Sequence, residues 1–145
     1  SQCLEQALYK DKGVVAVRYP RGCELYRSGT KAYSDFRHVS NKSRKLIFTY
    51  GRISAYAYTI HGVDVLQAIK IFPIADEIID ICLAYDEIYA FEEGEREGGI
   101  AQKLCTALAL AGFKGRFTIT AGLTDLSVMP MLRHSCITQC STQTE

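Results

Sequence analysis

The sequence predicts an α/β fold in three layers: a mostly parallel sheet of about five strands with helices on both faces. Two observations carry that expectation. From Leu46 onward, short β-branched or aromatic runs alternate with longer stretches whose apolar residues recur at helical spacing. Glycine or proline follows the runs, as Gly51, Pro73 and Gly122 do. Such alternation implies βαβ crossovers, and 145 residues suffice for one domain with a sizeable core.

Residues 1–11 read as a short helix with Leu4, Ala7 and Leu8 on one face, broken by Gly13. Val14-Val15-Ala16-Val17 is a β-branched run and reads as a strand, stopped by Pro20 and Gly22. Residues 23–44 are polar and without a clear period. They read as an inter-domain linker with one strand near residues 36–39. Leu46-Ile47-Phe48-Thr49-Tyr50 is a strand, residues 53–61 a helix, and residues 63–71 the next strand, ended by Pro73. Asp76-Glu77 starts a helix through Leu83, its acidic residues placed where the helix dipole favours them. Ile88-Tyr89-Ala90-Phe91-Glu92 follows as a strand. Gly98-Gly99 then opens a long helix to Ala111, and Phe117-Thr118-Ile119-Thr120-Ala121 is the last strand.

Composition excludes several function classes. With 48% hydrophobic and 23% charged residues, the chain is neither a disordered nor a fibrous type. A net charge of +1 gives no global case for nucleic acid or a membrane surface. The charge is uneven, however. Residues 1–44 carry nine Lys/Arg against four Asp/Glu, and residues 45–145 carry eight against twelve. A basic front could favour a phosphate or an acidic neighbour; the plainer alternative is a solvated linker. There is neither an apolar run of membrane-spanning length nor a basic-then-apolar leader. None of the six cysteines forms Cys-x-x-Cys or zinc spacing, so a reducing, cytoplasmic setting is expected. Cys82 and Cys105 fall in apolar helical patterns and read as buried thiols. The only methionines are Met129 and Met131, so a longer chain that precedes Ser1 is expected.

In an open parallel sheet, function sits at the carboxyl ends of the strands. Those ends are Tyr50-Gly51-Arg52, residues 70–73, Glu92-Glu93-Gly94 and Gly122-Leu123-Thr124-Asp125. None offers a nucleophile beside a base, so no catalytic residue and no metal ligand is assigned. Gly94 with Gly98-Gly99 precedes a helix whose N-terminus could hold an anion. The alternative is a turn that lets helix and strand approach closely. Glu92 and Glu93 are adjacent at a strand end, so their side chains diverge, one inward and one toward solvent. That suits a structural or interface role better than an acid/base pair. His38, His61 and His134 stand isolated and read as surface or loop residues. Tyr56, Tyr58 and Ile60 form a flank that is either core or a dimer face. The sharpest signal is Arg18-Tyr19-Pro20-Arg21-Gly22, two arginines about a proline that fixes the local backbone. The planar guanidinium fork suits phosphate.

Taken in order, Ala16-Val17-Arg18-Tyr19-Pro20-Arg21-Gly22, Thr49-Tyr50-Gly51, Ile71-Phe72-Pro73-Ile74, Phe91-Glu92-Glu93-Gly94 with Gly98-Gly99, and Gly122-Leu123-Thr124-Asp125 resemble the C-terminal part of 1-deoxy-D-xylulose-5-phosphate synthases. The resemblance covers residues 1 to about 128. Its arginine motif is specific, whereas the Glu-Glu-Gly…Gly-Gly pattern is shared with transketolases and the β subunits of 2-oxo acid dehydrogenases. It implies a transferase that uses thiamine diphosphate and a divalent metal such as Mg to condense pyruvate with glyceraldehyde 3-phosphate in isoprenoid precursor synthesis. Residues 1–22 would end the pyrimidine-binding domain, 23–44 would be the linker, and 45–145 a transketolase-type C-terminal domain. Arg21 would contact the acceptor's phosphate, with Arg18 supporting the same strand end. The cofactor and metal ligands would lie upstream, leaving this piece inactive alone and without bound cofactor. Its partners would be the remaining domains of the parent chain and a second copy in a homodimer.

Residues 129–145 depart from that pattern, with little apolar period. Reading their back-translation one base earlier permits a helical sequence of the kind the family carries there. The expectation is therefore an out-of-frame tail.

Overall fold

The computed structural model describes residues 2–16 and 35–121. Helix α1 (Gln2–Tyr9) is followed, beyond an undescribed stretch, by β1 (Phe36–Val39) and β2 (Lys45–Tyr50). A single 3₁₀ turn (Gly51–Ile53) leads into the short helix α2 (Ser54–Ala57). Then come β3 (Asp64–Ala68), α3 (Asp76–Leu83), β4 (Glu87–Phe91), α4 (Ile100–Leu110) and β5 (Arg116–Thr120). Sheet order is β1-β3-β2-β4-β5, with β1 antiparallel to β3 and every other pair parallel. The expected mostly parallel sheet of five strands is therefore the observed one.

Period-two alternation assigns the two faces. Leu46, Phe48, Leu66, Ala68, Ile88 and Ala90 pack against Ile78 and Cys82 of α3 and Ala101, Leu104 and Leu108 of α4. The opposite face carries Ile47, Val65 and Phe91 against Ile53 and Ala57. Helices thus cover both faces, which makes three layers. Each fully buried Leu or Ile in this core contributes about 1.5–3 kcal/mol of transfer free energy. The strand β1 falls in the segment read as a linker, at the position expected for a strand, and it joins the sheet.

Three elements differ from expectation, each for a physical reason. Residues 14–16 form no strand; Val14 is fully exposed and Val15 41% exposed. A β-branched run becomes a strand only beside a partner, and no described strand pairs with it. The helix expected over residues 53–61 shrinks to α2. Beyond Ala57 the chain tightens into i→i+3 bonds from Thr59 to Tyr56 and from Ile60 to Ala57. Gly62 then takes a positive φ of 77° that ends the turn. The strand expected over residues 63–71 stops at Ala68, because Tyr50 of β2 and Phe36 of β1 both pair with that residue and nothing extends further. The amides of Ile69 and Lys70 instead donate to the Asp35 carbonyl, each at 2.9 Å.

Candidate functional site

Strand β2 lies at the sheet's centre, with β3 on one side and β4 on the other. The crevice outside the carboxyl ends of β2 and β4 is therefore the topological switch point, where ligands of doubly wound sheets bind. In register, Thr49 pairs with Phe91, so Tyr50 and Glu92 emerge side by side. Both have the parity of Leu46, Phe48, Ile88 and Ala90, and so they turn toward α4.

Glu92 is 2% exposed and accepts three hydrogen bonds. Its Oε1 accepts from the Tyr50 hydroxyl at 2.7 Å and from the Ile100 amide at 3.0 Å. Its Oε2 accepts from the Ala101 amide at 3.1 Å. The helix start itself is extended Gly99, which has no capping side chain. Glu92 supplies the cap from the end of β4, satisfying two of the amides that a helix N-terminus leaves unpaired. Close approach is a strict requirement here. A Cβ on Gly99 would sit 2.5 Å from both Glu92 oxygens and from the Glu95 carbonyl oxygen. Burial first, then the hydrogen bond to Glu92 and the charges of Glu92 and Glu93, push the Tyr50 hydroxyl well above the ordinary phenol range. Tyr50 is thus a committed donor.

Of the two readings of the glycine-rich turn, the close approach of helix and strand is the observed one. The expected divergence of the glutamates also appears, with Glu92 buried and Glu93 half-buried.

A second buried carboxylate sits at the other end of the sheet. Asp64, at the start of β3, is 1% exposed. It accepts from the amides of Asn41 (2.7 Å) and Ser43 (3.1 Å), the Ser40 hydroxyl (2.9 Å) and the Tyr85 hydroxyl (2.7 Å). His38, exposed on β1, lies 2.8 Å from the same Tyr85 oxygen through Nε2. Tyr85 gives its proton to Asp64, so Nε2 is the donor in that contact. Burial alone would raise the Asp64 pKa; the four donors outweigh it and hold the carboxyl below its ordinary value. This cluster is not legible in the sequence, because its members lie far apart along the chain. Its one available signal was an aspartate between Val63 and Val65, at a position where a strand starts.

A groove of about 610 Å³ also opens beside Tyr85, lined by Leu83, Asp86, Glu87, Phe113, Lys114 and Arg116. It lies at the amino ends of β4 and β5, away from the switch point. Its acidic groups are already engaged, Asp86 by the fork of Arg44 and Glu87 by Lys45 and Tyr89. The crevice at Tyr50 and Glu92 is the stronger candidate because it lies at the switch point.

Among the described residues no group of three or more His, Cys, Asp or Glu side chains could hold a metal ion. The buried carboxylates Glu92 and Asp64 accept from three and four internal donors respectively. Arg18, Arg21, His134 and the Gly122-Leu123-Thr124-Asp125 segment lie outside the described residues, as does the tail at 129–145. His61 is exposed; Tyr56 and Tyr58 are half-buried, and Tyr58 donates to Gln67 at 2.8 Å. Cys82 is buried, and burial pushes its thiol up to about 12; Cys105 is half-buried. No described helix is long and apolar enough to cross a membrane. Comparison with protein-family models and with curated proteins returns no match.

Proposed function

We propose that this chain is the C-terminal part of a thiamine diphosphate-dependent transferase of the 1-deoxy-D-xylulose-5-phosphate synthase kind. In that reading the cofactor and Mg belong to upstream domains, and residues 45–145, together with the edge strand β1, form a non-catalytic domain that helps assemble a cytoplasmic homodimer. One observation supports it most. Two segments that carry the resemblance, Tyr50-Gly51 and Glu92-Glu93-Gly94…Gly98-Gly99, form one interlocked unit at neighbouring strand ends. A motif whose members depend on each other sterically is harder to meet by chance than scattered matches. The amino-terminal segment adds support. Leu8, Tyr9 and Val14 are 70%, 81% and fully exposed, which suits an element whose packing partners belong to another domain. A free-standing α/β binding or dimerisation module, the alternative to a piece of such an enzyme, would be expected to bury them.

The reading assigns Arg21 to the phosphate of the acceptor sugar and Arg18 to the support of the same segment, both outside the described residues. Two measurements test it. The purified chain, given thiamine diphosphate, Mg, pyruvate and glyceraldehyde 3-phosphate, should show no turnover. In the full-length parent, Arg21→Ala should raise the KM for the phosphorylated acceptor far more than that for pyruvate. Turnover by the isolated chain, or equal loss for both substrates, would overturn it.

A further inference from the structure

We infer that Glu92 is the resident anion of the switch-point crevice, and that it makes this crevice refuse phosphate-bearing and other anionic ligands. In doubly wound sheets a ligand's phosphate sits at this place, held by the amides that open the following helix and by a glycine that lets it come close. Here each of those parts is present and each is used by the chain itself. The two amides, of Ile100 and Ala101, both point at Glu92. Tyr50 adds a third donor to the same carboxylate. Gly99 provides the clearance, since an added Cβ would meet the two Glu92 oxygens at 2.5 Å. The close approach that a phosphate loop keeps for its ligand thus serves a side chain from β4. Glu93 adds a second negative charge that is felt at Tyr50. An anion arriving here would meet repulsion and no free donor among these groups.

The inference stands on Glu92 and α4 alone and does not rest on the transferase reading. It does separate the crevice from whatever holds phosphate elsewhere in the chain.

The test is a titration of the ¹⁵N-labelled full chain with inorganic phosphate and with pyrophosphate. In the native protein the amides of Gly99, Ile100 and Ala101 should not shift beyond the general effect of ionic strength. Glu92→Ala vacates the seat and should give saturable shifts at Ile100 and Ala101, with at least tenfold tighter phosphate binding than the native chain. Glu92→Gln keeps the size and removes the charge. It should show a weaker gain at the same amides, and it decides the matter should Glu92→Ala fail to fold. Phosphate-induced shifts at these amides in the native chain would overturn the inference, as would a folded Glu92→Gln that gains nothing. Either result leaves the Arg21→Ala experiment unaffected.

Discussion

Asp64 and Glu92 are the same device used at opposite ends of one sheet. Each is a buried carboxylate that accepts from two backbone amides and one tyrosine hydroxyl. They differ in what the amides belong to. Those of Asp64 come from the turn between β1 and β2, so it fastens the antiparallel edge strand. Those of Glu92 come from the first turn of α4, so it fastens a helix and fills a place that a ligand could have taken. A short side chain with a fourth donor, Ser40, makes a closed structural knot. The longer one reaches across a glycine turn into the crevice. The donor sets are therefore much alike, and position along the strand decides what each carboxylate fastens.

The comparison can be broken most severely at Gly99. Gly99→Ala drives a methyl into both Glu92 oxygens and the Glu95 carbonyl, and a loss of about 3 kcal/mol or more is expected in urea unfolding. Asp64→Ala comes next. It strands four donors, two of them backbone amides, and should cost about 2–4 kcal/mol while loosening hydrogen-exchange protection across residues 40–43. Removal of one tyrosine hydroxyl from each site sharpens the comparison. Tyr50→Phe and Tyr85→Phe should each cost about 1–2 kcal/mol, since each deletes a hydrogen bond to a charged group. Acid provides a further test. The folded pKa of Asp64 is lowered, so its contribution is complete above the unfolded-state value and is lost as pH falls through the folded one. The acid limb of stability against pH should flatten in Asp64→Asn; an unchanged limb would show that other groups carry it. The smallest effect is expected at His38, which is exposed and reaches the network only through Tyr85. His38→Ala should change stability by about 0.5 kcal/mol or less.

Much of the sheet is legible in the sequence because strand faces follow parity. Leu46, Phe48 and Tyr50 share one face, as do Ile88, Ala90 and Glu92, and this is enough to turn Glu92 inward. The start of α3 at Asp76 and that of α4 just after Gly99 are equally plain from local chemistry. Where reading fails, the deciding partner is remote in sequence. The length of β3 is set by where β1 and β2 end, and the fate of Val14-Val15-Ala16 depends on a neighbouring strand that local composition cannot reveal. Asp64 illustrates the same limit: its donors lie 21 to 24 residues away. Of the crevice, Glu92, Gly98 and Gly99 stand out in the sequence, but the carboxylate that fills the helix start follows only from register.

The antiparallel course of β1 also has a mechanical meaning. Phe36 pairs with Ala68, so the chain enters the sheet at the carboxyl ends of the parallel strands, on the crevice side, and runs back to the Asp64 knot at the far end. Tension drawn along the backbone ahead of Asp35 would load the β1·β3 ladder lengthwise, in shear, so that its bonds share the force. The paired amides of Ile69 and Lys70 on the Asp35 carbonyl stand at the point of entry and would bear the pull first. A pull from the preceding segment is therefore taken up first along one edge of the sheet, with β3 and β2 standing between it and β4, which leads to Glu92.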